Sequence, residues 1–285
     1  GNGAAGEVMN ALARKIEGNY ELLFSKIDGT FPNHHPDPSD PQNLIFCKKK
    51  LLDLKYNVGF AFDGDGDRLG VIDDKGRIVS GDKLLLLLAK EMLKSKKCKV
   101  IADVKCSQVL FEEVERLGGK IFMSKTGHSH IKNNLKKLNA DLAGEMSGHI
   151  FFADGYYGFD DAFFAAVKVL EILSNNDKKL SDLVDEIPRV FNTPEIRIDC
   201  DDNKKFDIIS KITQIQKKRK KKLTNIDGVR VAEKDGWWLL RASNTQPALV
   251  LRCESLTEDG LEFQKTLVKN ELSKFNIDIF EKIIS

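Results

Sequence analysis

The chain has 285 residues, a formal net charge of +2, and 41% hydrophobic and 31% charged residues. That length supplies core for two or three domains, and so small a charge does not by itself imply a nucleic-acid partner. The longest apolar run, Leu84 to Ala89, is far too short to span a bilayer, so no membrane partner is expected. Cys47, Cys98, Cys106, Cys200 and Cys253 are odd in number and scattered. They fit reduced thiols in a cytoplasmic protein better than a disulfide framework or a zinc site. No signal-peptide pattern opens the sequence.

In chain order, Gly1 to Gly6 reads as a turn running into a helix over 6–18, with Val8, Leu12 and Ile16 on one stripe. A chain that starts in the middle of a structural unit is expected to have lost at least one strand upstream. The turn matches G-x-G-x-x-G literally, but no strand precedes it, so an ordinary strand-to-helix turn is the better reading. Residues 20–26 read as a strand. Phe31 to Pro41 is an ordered loop rich in proline, in which His34 and His35 are structural. Next comes a strand from Val58 to Phe62, an acidic loop, a strand from Leu69 to Ile72, and a hairpin turn at Asp73-Asp74-Lys75-Gly76 that returns through Arg77 to Val79.

Ser80-Gly81-Asp82 is expected to cap an apolar helix from Lys83 to Leu93. Strands and helices then alternate: strand 100–104, helix 107–117, strand 120–124, helix 128–138, strands 141–146 and 149–152, and helix 159–173. Such alternation implies parallel pairing with helices on both faces. Pro188 and Pro194 mark a change of style. Strands at 195–200, 228–232, 237–242 and 248–253 cluster between helices 204–217 and 259–275, as in a small α+β domain with an antiparallel sheet.

The acidic loop, Asp63-Gly64-Asp65-Gly66-Asp67-Arg68, sets three carboxylates between two apolar runs. Like charges so close repel, and a hard divalent cation such as Mg²⁺ or Ca²⁺ removes that cost. Gly64 and Gly66 let the carboxylates converge. An EF-hand is excluded: its sixth position needs Gly and is Arg68, its twelfth is Asp74, and the flanks are strands. A solvated acidic turn leaves three successive aspartates unexplained.

Three other loops carry chemistry. Gly144-Glu145-Met146-Ser147-Gly148-His149 offers a carboxylate and a hydroxyl suited to sugar hydroxyls; alone it fits a polar β-turn equally well. Arg241-Ala242-Ser243-Asn244-Thr245, between two strands, offers a guanidinium, two hydroxyls and an amide to a phosphate; a polar hairpin loop is its plain alternative. Lys125-Thr126-Gly127-His128-Ser129 precedes a helix, where backbone amides can face an anion and His128 can carry a proton. The run from Lys217 to Lys222 is read as a solvated helix end, without a nucleic-acid partner.

Jointly, FDGDGDR, KTGHS, GEMSGH and RASNT, in this order and at these separations, resemble the α-D-phosphohexomutases, and most of all the bacterial phosphomannomutase/phosphoglucomutase group. GNGAAG and FPNHHPDP are similar to that family's second domain. The resemblance covers essentially the whole chain. It implies phosphohexomutase-like α/β domains with mixed sheets and helices, plus a smaller C-terminal α+β domain. The expected divisions are 1–79 (metal-binding), 80–189 (sugar-binding) and 190–285 (phosphate-binding).

By motif, Asp63, Asp65 and Asp67 would hold Mg²⁺, with Arg68 beside the reacting phosphate. Glu145 and Ser147 would bind sugar hydroxyls. Arg241, Ser243, Asn244 and Thr245 would hold the phosphate that is not reacting. Lys105, His128 and His149 would line the site, one of the histidines as acid/base. Met146 stands where related phosphoglucosamine mutases tend to carry Gln, which leans toward mannose and glucose phosphates. The implied reaction interconverts hexose 1-phosphate and hexose 6-phosphate through a phosphoserine and a hexose 1,6-bisphosphate. The family's phosphoserine lies in a Ser-His-Asn-Pro loop of an N-terminal domain, and no such run occurs here. That domain is therefore an expected partner, and this chain alone is expected to be inactive. The alternatives are a non-catalytic sugar-phosphate-binding subunit or half of a split mutase, and, less well supported by the loops, a calcium-binding structural module.

Overall fold

The computed structural model describes residues 1–277 and Ile279. Its contacts divide the chain into two compact units, Gly1–Ile187 and Pro188–Ser285.

The first unit opens with α1 (Ala5–Ala13). The helix expected over 6–18 stops at Ala13, followed by two turn residues. The strand expected over 20–26 does not form. Phe24 takes a positive φ of 51°, which no strand tolerates, and its carbonyl accepts a hydrogen bond from the Asn2 backbone rather than from a ladder. A helix stands where none was expected: a 3-10 turn, Pro41–Leu44, runs directly into α2 (Ile45–Leu54). Asp40 caps the turn by accepting from the Gln42 N–H, and Pro41 follows at a helix start, where its missing donor costs nothing.

β1 (Val58–Phe62), β2 (Leu69–Asp73) and β3 (Ile78–Val79) form an antiparallel sheet in that order. Val58 pairs with Asp73 and Phe62 with Leu69, so the acidic loop is the tip of a hairpin. α3 (Gly81–Ser95) follows, with Leu84 to Ala89 all buried. A helix apolar all round needs apolar neighbours on every side. Ser80 does not cap it as expected; its hydroxyl bonds Asp82, whose carboxylate also takes the backbone N–H groups of Lys83 and Ser107.

The next elements are β4 (Lys99–Asp103), α4 (Gln108–Arg116), β5 (Lys120–Ser124), α5 (His128–Leu138), β6 (Leu142–Gly144), β7 (Ile150–Phe152), α6 (Ala162–Ser174) and α7 (Leu180–Asp185). Their sheet runs β5-β4-β6-β7, with β4 parallel to both β5 and β6 and β7 antiparallel at one edge. The period of two sorts its residues by face. Ile101, Ala143 and Phe151 pack on Ile131 and Leu135 of α5. Gly144 lies over Leu85 of α3, where an added Cβ would sit 3.1 Å from a Leu85 methyl. The helix α7 was not foreseen; Ser181 in its first turn donates to Asp74, and Arg77 bonds Asp185 at its end.

The second unit comprises β8 (Phe191–Asn192), β9 (Ile196–Asp199), α8 (Asp202–Lys218), β10 (Leu223–Thr224), β11 (Val229–Glu233), β12 (Gly236–Ala242), β13 (Ala248–Ser255) and α9 (Glu258–Ser273). The antiparallel sheet runs β10-β11-β12-β13-β8, and β9 also pairs with β13. Ile212 of α8 and Val268 and Leu272 of α9 join Val231, Trp238, Leu240 and Leu251 of the sheet in one core. The last turn of the helix expected to reach Phe275 gives way after Ser273. Lys217 to Lys222 are all exposed at the end of α8 and just beyond. The five cysteines are free, and no helix among the described residues is long and apolar enough to cross a membrane.

Candidate functional site

The acidic loop is built around its first aspartate. Asp63 is 3% exposed, and its Oδ1 accepts from the backbone N–H groups of Gly66, Asp67 and Arg68 at 3.0, 3.0 and 3.1 Å. Its Oδ2 accepts from Arg68 Nε at 2.7 Å. Burial pushes the Asp63 carboxyl up, but the Arg68 backbone N–H and guanidinium outweigh it and hold it below its ordinary value. Gly66 makes the turn possible with φ at 81°, and a Cβ there would lie 2.8 Å from the Phe163 ring. Asp65 is exposed and Asp67 half-buried. Ligand oxygens of Asp63, Asp65 and Asp67 all lie within 4.8 Å of one another. Burial pushes the Asp67 carboxyl up to about 6; the neighbouring carboxylates of Asp63 and Asp65 add to the rise, while His149 opposes it. Such crowding of oxygen donors is what a hard divalent cation relieves.

Arg68 continues outward. Its Nη1 donates to Asp37 Oδ1 at 3.0 Å, a residue of the proline-rich loop that the sequence reading passed over. The backbone of Arg68 bridges that of His149, and Leu69 N–H donates to Gly148 O at 3.0 Å. This splice joins the acidic loop to the Gly144–His149 loop within one compact unit. Gly148 allows it with φ at 99°, since a Cβ there would meet Leu69 O at 2.6 Å.

In the second loop Glu145 is 2% exposed, and its carboxylate accepts the Gly127 backbone N–H. Burial and the nearby Asp103 push its carboxyl up, against the Gly127 N–H, His149 and Lys105. Lys105 is buried, as is Asp103, whose carboxylate takes the Lys105 backbone N–H at 2.7 Å and that of Met146 at 3.1 Å. Ser147 is half-buried. The structure thus brings Lys105, Glu145 and the Lys125–Ser129 loop to the carboxyl ends of the parallel strands, where ligand loops of such sheets gather.

His128 and His149 meet there, ring centroids 5.7 Å apart. His149 is the more buried, its side chain 15% exposed against 51% for His128. Its Nδ1 lies 3.2 Å from Asp160 Oδ2 and 3.6 Å from Asp67 Oδ1. Burial lowers the His149 imidazole, but Asp160 and Asp67 outweigh it and raise it above its ordinary value. Sequence reasoning missed Asp160. The one visible signal was a surplus: two adjacent acids precede α6, and only Asp161 is used as its cap, accepting from Phe164 N–H at 2.9 Å.

The second unit holds Arg241, Ser243, Asn244 and Thr245. Arg241 and Ala242 end β12, within the strand expected over 237–242, and the loop proper begins at Ser243. Arg241 is buried, and its Nε donates to Asp227 at 3.1 Å. Ser243 Oγ accepts from the backbone N–H groups of Thr245 at 3.4 Å and Gln246 at 3.2 Å, closing a tight turn. Lys205 Nζ donates to the Gln246 carbonyl at 2.9 Å. Asn244 and Thr245 are exposed at the tip.

The first unit splices an acidic hairpin tip to the Gly144–His149 loop beside a largely parallel sheet, and the second unit carries an antiparallel sheet. Residues 1–76 match phosphoglucomutase/phosphomannomutase alpha/beta/alpha domain II, 80–191 match alpha/beta/alpha domain III, and 195–266 match the C-terminal domain. A phosphomannomutase/phosphoglucomutase of Pseudomonas putida is 44% identical over 95% of this chain and 59% of its own length. A solved phosphoglucomutase/phosphomannomutase family protein of Burkholderia thailandensis is 40% identical, with a TM-score of 0.89 over 96% of this chain and 58% of that one. An Aspergillus fumigatus N-acetylphosphoglucosamine mutase, solved with GlcNAc-6P and magnesium, shares the fold at 15% identity, with a TM-score of 0.64 over 94% of this chain and 63% of that one. The chain belongs to the phosphoglucomutase/phosphomannomutase family. It spans about three-fifths of the length of the P. putida relative.

Proposed function

We propose that this chain carries the metal, sugar and second-phosphate parts of a phosphohexomutase that interconverts hexose 1-phosphate and hexose 6-phosphate, with mannose or glucose as the sugar. The observation that carries the reading is the convergence of Asp63, Asp65 and Asp67 with His149 Nδ1 3.6 Å from Asp67. Under it, the division 1–79, 80–189 and 190–285 separates metal, sugar and phosphate functions.

Asp63, Asp65 and Asp67 fit Mg²⁺: all donors are hard oxygens, and Asp67 is pushed up to about 6 where its neighbours crowd it. When bound, Mg²⁺ supplies charge neutralisation on the transferring phosphoryl oxygens. Arg68 has Nε and Nη1 held by Asp63 and Asp37, which fixes the guanidinium and leaves Nη2 for a phosphoryl oxygen. Glu145 and Ser147 accept sugar hydroxyls, and Lys105 offsets the buried charge of Glu145. A histidine, His149 or His128, takes the proton of the attacking sugar hydroxyl. Arg241, Ser243, Asn244 and Thr245 hold the phosphate that is not reacting.

The 285 residues contain no Ser-His-Asn-Pro run, and under this reading the phosphoryl donor is a phosphoserine supplied from outside them. Three aspartates do not complete the roughly six oxygens that Mg²⁺ requires. Calorimetric titration of the chain should therefore show weak Mg²⁺ binding that tightens with a hexose 1,6-bisphosphate. Submicromolar Mg²⁺ affinity without phosphate, or no bisphosphate binding, would count against the reading. Glucose 1-phosphate should not turn over with the chain alone; turnover by the pure chain would show that the phosphoserine is not needed from elsewhere.

A further inference from the structure

Three cations meet the turn that follows β12, and each has a carboxylate of its own. Arg241, which leads into the turn, donates from Nε to Asp227 Oδ2 at 3.1 Å. Lys205, near the start of α8, donates from Nζ to the Gln246 carbonyl at 2.9 Å and lies 2.6 Å from Asp202 Oδ1. Arg197 of β9 donates from Nη1 to the Gln246 side-chain oxygen, and its Nη2 lies 3.2 Å from Glu195 Oε1.

The first of these pairs is built into the fold. The Arg241 and Asp227 side chains are 8% and 13% exposed. Gly228 lets the preceding loop lie directly against β12, with φ at 82°. A Cβ there would meet Leu240 O at 2.4 Å and Arg241 Cβ at 2.6 Å, so a side chain would push Asp227 away from Arg241. The other carboxylates are nearer to water: Asp202 is 65% exposed and Glu195 31%. Solvent and salt screen those two pairs more strongly.

Two arginines and a lysine without counter-charges would hold a phosphate by net charge as well as by hydrogen bonds. Here three carboxylates offset the three cations, and what remains is directed hydrogen bonding. With Nε taken by Asp227, Arg241 keeps its Nη groups for an anion. We propose that Asp227 restrains the phosphate affinity of this turn by balancing Arg241, so that the turn releases the phosphate it holds; Asp202 acts in the same sense, more weakly, through Lys205. The inference rests on the function proposed above. Interconversion through a hexose 1,6-bisphosphate needs a turn that takes either phosphate and lets it go again. A turn with unbalanced cations would keep one phosphate and slow the exchange.

This role differs in sign from a structural one. If Asp227 only held Arg241 in place, its loss would misplace the guanidinium and weaken phosphate binding. If it balances Arg241, loss of its charge tightens phosphate binding.

The test is titration of the 285-residue chain with inorganic phosphate, followed by NMR at the Ser243, Asn244 and Thr245 amides, which separates this turn from other anion sites. Asp227→Asn keeps an oxygen that can accept from Nε and removes the charge. It should tighten phosphate at these amides about tenfold, the effect of one charge acting across a guanidinium in a largely buried setting. Asp202→Asn should tighten it about twofold, because solvent screens that carboxylate. Binding in the wild type that is unchanged or weaker in a folded Asp227→Asn chain overturns the inference and leaves the turn a phosphate site. If Asp227→Asn does not fold, Asp202→Asn decides: tighter binding supports the inference, and unchanged or weaker binding overturns it. Binding seen in the variants and not in the wild type also supports it. If phosphate shifts these amides in none of the three chains, the turn is not a phosphate site, and the proposed role of Arg241 to Thr245 falls together with the inference.

Discussion

Two turns of the first unit share one plan and differ in what they add to it. In the acidic loop Asp63 accepts backbone N–H groups of Gly66, Asp67 and Arg68 and the Nε of Arg68. In the β2–β3 turn Asp73 accepts those of Lys75 and Arg77 and the Nε of Arg77, again at 2.7 Å. Gly66 and Gly76 each stand three residues after the aspartate with φ of 81° and 75°. Both aspartates are buried, at 3% and 0% exposure. The shared plan is a way to close a hairpin on a buried carboxylate. What is special to the acidic loop is the surplus, Asp65 and Asp67, which closure of the turn does not need. Asp63 is then chiefly the frame, with Oδ2 the oxygen it can lend to a cation.

The comparison is broken most directly by removing the frames. Asp63→Ala leaves Arg68 Nε and three backbone donors without their acceptor in a largely buried setting, with only Asp37 left to Arg68, and should cost about 3–5 kcal/mol in urea denaturation. Asp73→Ala should cost less, about 2–3 kcal/mol, because the Arg77 side chain is 43% exposed and can rehydrate. Equal losses, or a smaller loss at Asp63, would mean that the two turns are not the same device.

The surplus is tested next. Asp65→Asn and Asp67→Asn should each weaken Mg²⁺ binding by about tenfold, roughly 1.4 kcal/mol, with stability unchanged or raised by the relief of repulsion. Asp74→Asn changes the extra acid of the other turn, whose carboxylate is engaged by Ser181, and should leave Mg²⁺ binding as it was. An effect of Asp74 on Mg²⁺ affinity would show that the calorimetric signal reflects general acidity.

These two turns were legible in the sequence because their hydrogen bonds span five residues or fewer. The residues that sequence reading missed act across the chain. Asp37 meets Arg68 over 31 residues, Asp160 meets His128 over 32, and Asp103 meets the Met146 N–H over 43. Apart from the surplus acid beside Asp161, nothing local in the sequence distinguishes such an aspartate from a solvated one. Two errors of secondary structure have local causes. Residues 20–26 have the apolar content of a strand, but Phe24 adopts a conformation that ends one. α2 was passed over because three lysines interrupt its apolar pattern, although Asp40-Pro41 is a helix start in plain view. Of the site, the loops were readable and their junction was not, because the Arg68–His149 splice is a tertiary backbone contact.

The Ser243–Gln246 turn of the second unit uses a weaker version of the same logic, a hydroxyl in place of a carboxylate. Ser243→Ala removes the acceptor of the Thr245 and Gln246 N–H groups. Both residues are exposed and water can replace the hydroxyl, so the cost should be about 1 kcal/mol. Faster amide exchange at Thr245 and Gln246, with the β12–β13 ladder unaffected, is the expected signature. Loss of protection throughout β13 would show that the turn supports the sheet.

A third aspartate carries the plan over a long distance and gives it a pH dependence. Asp141 accepts the Lys99 backbone N–H at 2.8 Å and Lys96 Nζ at 2.8 Å, tying the starts of β4 and β6 together. Burial pushes its carboxyl up, but Lys96 and the Lys99 N–H outweigh this and hold it below its ordinary value. A folded value below the unfolded one means that the stabilisation is complete above the unfolded value, about 4, and disappears as pH falls through the folded value. Lys96 is 37% exposed, so screening limits the pair to about 1 kcal/mol or less. Asp141→Asn should therefore be less stable than the wild type by that amount at pH 7. The gap should stay constant down to about pH 4 and close below it. A gap that persists well below the folded value of Asp141 would mean that the substituted amide fails for its shape rather than its charge, and that a lysine, unlike the arginines of the two turns, contributes little to closing the frame.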